Sequence, residues 1–231
     1  AFTLKNSLDR QYCGAPQIEI RIGSVRDMNR LREIFDEFNP SSVFHAAAHK
    51  HVPLMEDSPN EAVKNNVLGT WKIVQAADKY KVKRFVMIST DKAVNPVNLY
   101  GGTKLVSDKL FIAANAYVGN KDISFSIVRY GNVAGSRGSV IPFFQNIIDK
   151  GGKELPITDY RMTRFWISLT QGVELVIKAL EEAKGGETFI SKIPSFKITD
   201  LAQAMLPGCE MPEVGIRPGE KLHEIMVTVE D

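Results

Sequence analysis

Residues 89–104 read STDKAVNPVNLYGGTK and collect four side chains able to move protons: Asp91, Lys92, Tyr100 and Lys104. Asp91 and Lys92 are neighbours, an acid beside a base. Tyr100 and Lys104 are four residues apart, so on a helix they share a face about one turn apart. An ammonium near a phenol stabilises phenolate and lowers the tyrosine pKa from its usual value near ~10. Such a phenol can take a proton from an alcohol while hydride leaves the same carbon. The spacing alone is weak, because many helices carry it by chance and a solvated loop would also hold these charges. Ser89 and Thr90 add weight: a hydroxyl at the end of a strand can share the tyrosine's hydrogen bond.

Elements that would position these residues follow from periodicity. QIEIRIG (17–23) alternates and predicts a strand, and residues 27–38 carry a helical apolar stripe at Met28, Leu31, Ile34, Phe35 and Phe38. A short buried strand at 41–48, a long helix at 60–80, a strand at 84–89, a helix at 99–117, a strand at 125–130 and a helix near 140–149 continue the series. This alternation predicts an α/β fold, a Rossmann-type, doubly wound parallel sheet with crossover helices. After about residue 150 the pattern breaks into short strands, one clear helix (170–182) and Pro-rich loops. That predicts a smaller, irregular C-terminal lobe. Ligands of open parallel sheets sit beyond the C-terminal strand ends. HAAAHKH (45–51), Ser89–Lys92 and GNVAGSRG (131–138) each leave such an end.

Composition narrows the function classes. The 231 residues carry a net charge of +2, with 44% hydrophobic and 24% charged residues and no basic stripe, so nucleic acid is not an expected partner. No apolar run approaches the ~18 residues of a membrane span, and AFTLKNSLDR is not a signal peptide. Cys13 and Cys209 fit free thiols in a reducing cytoplasm better than a disulfide framework. His45, His49 and His51 lie within seven residues and invite a metal reading. No Cys or carboxylate completes a zinc spacing, so no metal is expected. The glycines of 131–138 are wrongly spaced for a dinucleotide fingerprint.

Five stretches, FHAAAHKHVPLMED (44–57), STDKAVNPVNLYGGTK (89–104), RYGNVAGSRGSVIPFF (129–144), ITDYRMTRFWISL (157–169) and GIRPGEKLHE (215–224), carry a family resemblance. In that order they resemble the extended, nucleotide-sugar branch of the short-chain dehydrogenase/reductases. Within it they resemble the inverting UDP-N-acetylglucosamine 4,6-dehydratases of pseudaminic acid synthesis. Membrane-anchored relatives tend to carry methionine where this chain has Tyr100, which places it with the soluble type. The resemblance implies oxidation at C4 of the sugar, loss of the C5 proton, expulsion of the C6 hydroxyl and return of hydride to C6. It implies Asp91 as the C6 acid, Lys92 as the C5 base, Tyr100 as the C4 base, and Lys104 on the nicotinamide ribose. Asp91 must then be protonated and Lys92 neutral at the right moment, shifts that burial and mutual coupling can supply.

Other roles come by the same route. Ser24, Val25, Ala46, Ala47, Ala48, Asn66 and Ser89, with Tyr100 and Lys104, would line an NADP (or NAD) site. Lys50, Thr90, Asn132, Arg164, Arg217 and Glu220 would meet UDP-N-acetylglucosamine. The resemblance assigns 1–150 to a partial cofactor-binding domain and 151–231 mostly to a substrate lobe, in a cytoplasmic homo-oligomer. Nothing before Gln17 reads as a strand, glycine-rich turn and helix, so the chain is expected to start after the first βαβ unit. Ser24 stands where the family usually has an adenine-touching aspartate. A nucleotide-sugar 4-epimerase would share Tyr100 and Lys104 but has no use for Asp91–Lys92. A non-catalytic Rossmann-type binding protein is the alternative outside enzymes.

Overall fold

The computed structural model describes residues 2–12, 17–119 and 122–229; Cys13 lies outside them. In chain order the elements are α1 (Phe2–Tyr12), α2 (Met28–Phe38), β1 (Ser42–His45), α3 (Val52–Asp57) and α4 (Pro59–Ala62). A π-helical turn (Val63–Leu68) carries α4 into α5 (Gly69–Lys79). Then come β2 (Arg84–Thr90), a 3₁₀ turn (Asp91–Ala93), α6 (Leu99–Tyr117), β3 (Ser124–Tyr130), β4 (Asn132–Val133) and α7 (Val140–Asp149). β5 (Thr163–Ile167), α8 (Leu169–Glu182), β6 (Thr188–Ile190), β7 (Ser195–Lys197) and α9 (Ile198–Met205) complete the chain.

The main sheet has the order β1-β2-β3-β6 and is parallel throughout. Alternation along its strands separates two faces. Phe85, Met87, Phe125 and Ile127 point to one side, where they meet α2, α5 and α6 through Leu31, Phe35, Val74, Ala77 and Phe111. Val86 and Val128 point to the other, against Leu175 and Ala179 of α8. Helices on both faces make the sheet doubly wound, as the alternation predicted. The middle of the first face is a triad of fully buried rings, Phe85, Phe111 and Phe125, with centroids 4.8, 5.5 and 5.2 Å apart.

A second layer, β4-β5-β7, stands beside the rim of this sheet. Its core is Phe144, Leu155, Ile157, Met162, Ile198, Ala202 and the free, buried Cys209. The layer boundary does not fall at residue 150. α8 and β6 come later in sequence yet complete the main sheet, because β6 pairs with β3 and α8 covers β2 and β3.

Residues 17–23 correct the strand expected there. They form no ladder; Ile18 and Ile20 are half-buried, whereas Ile22 is 87% exposed. Alternation specifies which side chains share a face, but a strand needs a neighbour to take its backbone hydrogen bonds. Among the described residues β1 pairs only with β2. No described helix is long and apolar enough to cross a membrane.

Phe111→Ala empties the middle of the aromatic triad and should cost about 3–5 kcal/mol of unfolding free energy. Phe143→Ala, at a half-exposed ring on α7, should cost less than about 1 kcal/mol. Denaturant midpoints of the two variants check the contrast.

Candidate active site

β2 and β3 run in register to Thr90 and Tyr130, and the chemistry-bearing residues gather just past these ends. After Thr90 the chain turns at once into Asp91–Ala93, and Thr90 Oγ1 accepts a hydrogen bond from Lys92 N at 3.3 Å. Asp91 is fully buried. Its Oδ1 accepts from Thr90 Oγ1 at 2.9 Å and from Lys92 Nζ at 3.0 Å. Its Oδ2 takes no hydrogen bond. Lys92 Nζ also donates to Asn132 Oδ1 at 3.1 Å and lies 4.0 Å from Glu224 Oε1.

Two glycines make this closeness possible. A Cβ on Gly101 would stand 2.2 Å from the carbonyl oxygen of Lys92, so only glycine lets the first turn of α6 lie against the Asp91–Ala93 turn. A Cβ on Gly131 would come 2.5 Å from Phe165 Cβ and 3.4 Å from Asp91 Oδ2. Asn98 caps α6, its side chain accepting from Gly101 N at 2.7 Å while its amide donates to Gly219 O at 2.7 Å.

From that start, Tyr100 and Lys104 fall on one buried face of α6. The ammonium does not lower the phenol's pKa as the spacing suggested. Burial pushes the Tyr100 phenol well up, the hydroxyl of Thr90 opposes this, and the charges of Asp91 and Asp108 push it further. Lys104 Nζ instead donates to Ile88 O at 2.9 Å, and burial lowers its pKa against the pull of Asp108. Thr90, rather than Ser89, is the hydroxyl partner of Tyr100. Ser89 Oγ donates to Asp108 Oδ2 at 2.7 Å on the core side of β2.

Around the rim the expected residues divide. Asn66 is buried and its amide brackets the backbone of His49, accepting from His49 N at 2.8 Å and donating to His49 O at 2.9 Å. It also donates to Thr103 Oγ1 at 3.0 Å, so its side chain holds the loop after β1 onto α6. In that loop Ala46 and Ala47 are exposed, Ala48 is half-buried, and Lys50 Nζ donates to Arg137 O at 3.1 Å. Ser24 belongs to the turn that starts α2, accepting from Arg26 N at 3.2 Å. With Arg26, Asp27, Met28, Asn29 and Lys72 it lines an open depression of about 490 Å³. Val25 turns inward against Gly69. Arg164 Nη1 is held by the carbonyls of Thr163 at 2.7 Å and Leu222 at 3.1 Å. Arg217 and Glu220 are bound to each other, with Nε to Oε1 at 3.0 Å.

Of the three nearby histidines, His45 is buried, its Nε2 2.9 Å from Thr70 Oγ1, whereas His49 and His51 are exposed. Among the described residues no group of three or more His, Cys, Asp or Glu could hold a metal ion. Glu224 and Lys221 were not anticipated. Lys221 Nζ donates to Val94 O at 2.6 Å and lies 3.4 Å from Glu224 Oε2. Their i, i+3 spacing in KLHE reads as an ordinary surface pair, and only the fold turns it inward.

The family described as polysaccharide biosynthesis protein matches residues 2–231. The chain is 55% identical over 217 residues to the UDP-N-acetylglucosamine 4,6-dehydratase (inverting) of Campylobacter jejuni subsp. jejuni serotype O:2, which covers 94% of this chain and 64% of that relative. A UDP-glucose 4-epimerase of Rickettsia rickettsii is 42% identical over 220 residues, again 94% of this chain and 64% of the relative. The chain therefore spans a little under two thirds of either relative. Among solved structures, Pen from Bacillus thuringiensis has a TM-score of 0.88 at 37% identity, covering 100% of this chain and 73% of that one. DesIV of Streptomyces venezuelae, a dTDP-glucose 4,6-dehydratase, has a TM-score of 0.81 at 20% identity over 97% of this chain and 76% of its own, a likeness of fold.

His45 gives this rim a pH dependence. Burial, aided by the charge of Lys104, lowers its pKa from 6.5 to about 4. Between these values the unfolded chain binds a proton that the folded chain does not, so stability falls as pH drops through this window. The loss from this residue should be about 2 kcal/mol between about pH 7 and about pH 5. Urea unfolding at the two pH values checks this, and His45→Gln should remove that part of the slope.

Proposed function

We propose that this chain, which belongs to the polysaccharide biosynthesis protein family of extended short-chain dehydrogenases/reductases, carries the catalytic centre of a UDP-N-acetylglucosamine 4,6-dehydratase that inverts C5. The observation that carries this reading is the buried Asp91–Lys92 contact at 3.0 Å beside Tyr100. A 4-epimerase has the name of the Rickettsia relative behind it. It would use Tyr100 and Lys104 and leave the Asp91–Lys92 pair idle.

A nicotinamide dinucleotide, NADP or NAD, fits the residues present. The depression beside Ser24 is open, and the small side chains of Ala46 and Ala47, both exposed, let a ligand approach the backbone closely. When bound, such a cofactor supplies a hydride acceptor for C4, a hydride donor for C6 and, while oxidised, a positive charge. A positive charge near a buried phenol favours phenolate, which offsets the upward push on Tyr100.

Asp91 and Lys92 together can hold one proton. Across 3.0 Å it passes from the ammonium to the carboxylate, leaving a neutral amine and a carboxylic acid. The amine takes the proton at C5, made acidic by the C4 ketone. The carbon–hydrogen electron pair forms the C5–C6 double bond as the C6 hydroxyl leaves with the Asp91 proton as water. The elimination returns the pair to ammonium and carboxylate. When hydride returns to C6, the electron pair left at C5 takes a solvent-derived proton on the opposite face, and Tyr100 releases to solvent the proton it took at C4. Asp91 Oδ2 is buried beside Gly131 and has no hydrogen-bond partner, so the Asp91 carboxyl keeps one oxygen free of protein donors. Asn132 orients Lys92 by accepting a hydrogen bond from its Nζ. The product suits synthesis of bacterial surface or flagellin glycan sugars such as pseudaminic acid. A cytoplasmic setting and a homo-oligomer belong to the same proposal.

Full-length protein incubated with UDP-N-acetylglucosamine should form a 4-keto-6-deoxy sugar with no net change in cofactor redox state. UDP-N-acetylgalactosamine accumulating without loss of water would decide for the epimerase. Tyr100→Phe and Lys92→Ala should each lower product formation by roughly 10²–10⁴-fold. They should differ in one observable: reduced-cofactor absorbance appears with substrate in Lys92→Ala and not in Tyr100→Phe. Solvent deuterium entering C5 at the unmodified rate in Lys92→Ala would remove Lys92 from the role of base.

A further inference from the structure

Glu224 lies in an irregular segment with no helix or strand to place it, yet its side chain is only 5% exposed. The segment is tied down on both sides of it. Arg164 of β5 holds Leu222 O at 3.1 Å, and Arg129, buried on β3, holds Met226 O at 3.0 Å. Upstream, Asn98 holds Gly219 O at 2.7 Å. Such backbone anchors bring one carboxylate to a chosen place. Its Oε1 faces Lys92 Nζ at 4.0 Å and its Oε2 faces Lys221 Nζ at 3.4 Å. Asp91, Lys92, Glu224 and Lys221 thus form a row of alternating charge. The other ionisable groups close to this row are Tyr100 of α6 and, beside it, Tyr130 of β3, with Arg164 of β5 holding the segment and His223 of the segment paired with Thr163 of β5.

We propose that Glu224 is a positioning residue for Lys92: it aims the amine and stabilises the ammonium that forms when Lys92 takes the substrate proton. This rests on Lys92 being the C5 base. The charge argument is direct. Once Asp91 has donated its proton and Lys92 has gained one, the ammonium lies between two carboxylates, and each lowers the energy of that state. Lys221, 3.4 Å from the other carboxylate oxygen, acts with the opposite sign, because its positive charge opposes a second ammonium nearby. A residue that only held the segment in place would not give Glu224 and Lys221 opposite electrostatic effects on the reaction.

The test is the pH dependence of solvent-deuterium entry at C5 in the full-length protein with UDP-N-acetylglucosamine. Glu224→Gln should slow the exchange about tenfold and move both limbs of its pH profile down by about one pH unit. Lys221→Gln should move the limbs up, and Lys221→Arg should restore them. Reduced-cofactor absorbance, which reports C4 chemistry, should persist in Glu224→Gln. Profiles superimposable on the unmodified protein, or both variants moving in the same direction, overturn the proposal. If Glu224→Gln does not fold, the direction of the Lys221→Gln shift decides alone: upward supports the role, no shift overturns it. An unmodified protein that makes no 4-keto-6-deoxy sugar sinks the dehydratase reading itself, and this inference with it. A normal unmodified enzyme with unshifted variants sinks only the role of Glu224.

Discussion

A carboxylate sealed from water costs several kcal/mol unless a counter-charge and hydrogen bonds accompany it. Asp91 is such a group, and the surrounding structure is organised around keeping it both buried and paired. Lys92 is its sequence neighbour, and adjacent side chains on a strand point to opposite faces. Only because the strand ends at Thr90 and gives way to a tight 3₁₀ turn can Lys92 swing back to Asp91 Oδ1. The glycine at 101 then lets α6 press on that turn, and the glycine at 131 lets the next loop and Phe165 cover it. Each of these close approaches fails with a single added carbon.

Much of this was legible in the sequence, and the remainder divides by physical cause. α6 was read at its true bounds because its residues agree at every level: an Asn cap, a helical run and a strand before it. Tyr100 and Lys104 on one face follow from that spacing alone. The phenol's environment did not follow, since burial and the charges of Asp91 and Asp108 outweigh the neighbouring lysine and depend on the packed fold. Residues 17–23 show the reverse failure, a correct pattern with no ladder partner among the described residues. α9 and β7 went unread because Lys197 supplies no side-chain cap and three-residue strands carry little periodicity. Arg217 and Glu220, expected to meet the substrate, are hydrogen-bonded to each other in the structure.

Beyond Asn132 of β4, the site is completed on this side by irregular chain. The segment after residue 215 crosses the rim of the main sheet and is fixed by long-range hydrogen bonds from Asn98, Arg129 and Arg164. None of these contacts is visible in local sequence, because their partners lie between 58 and 121 residues away. Irregular backbone still has to satisfy its carbonyls when buried, and here buried or half-buried side chains do so. Specificity of position replaces the regularity that a helix or strand would have supplied.

Arg129 joins the two halves of this arrangement. From β3 it lies 3.9 Å from Asp108 of α6, which also takes the hydroxyl of Ser89 of β2, while its other nitrogen reaches Met226 O. Buried polar networks of this kind hold their members in one geometry, since any slippage strands a charge in low dielectric. The angle of α6 against the sheet, and so the place of Tyr100 above the strand ends, is thereby coupled to the path of the segment that carries Glu224. Tyr100 reaches the rim from α6 and Glu224 from the irregular segment after residue 215. Asp91 and Lys92 lie where the two meet, so an irregular segment and a buried helix bring their side chains to the same pair.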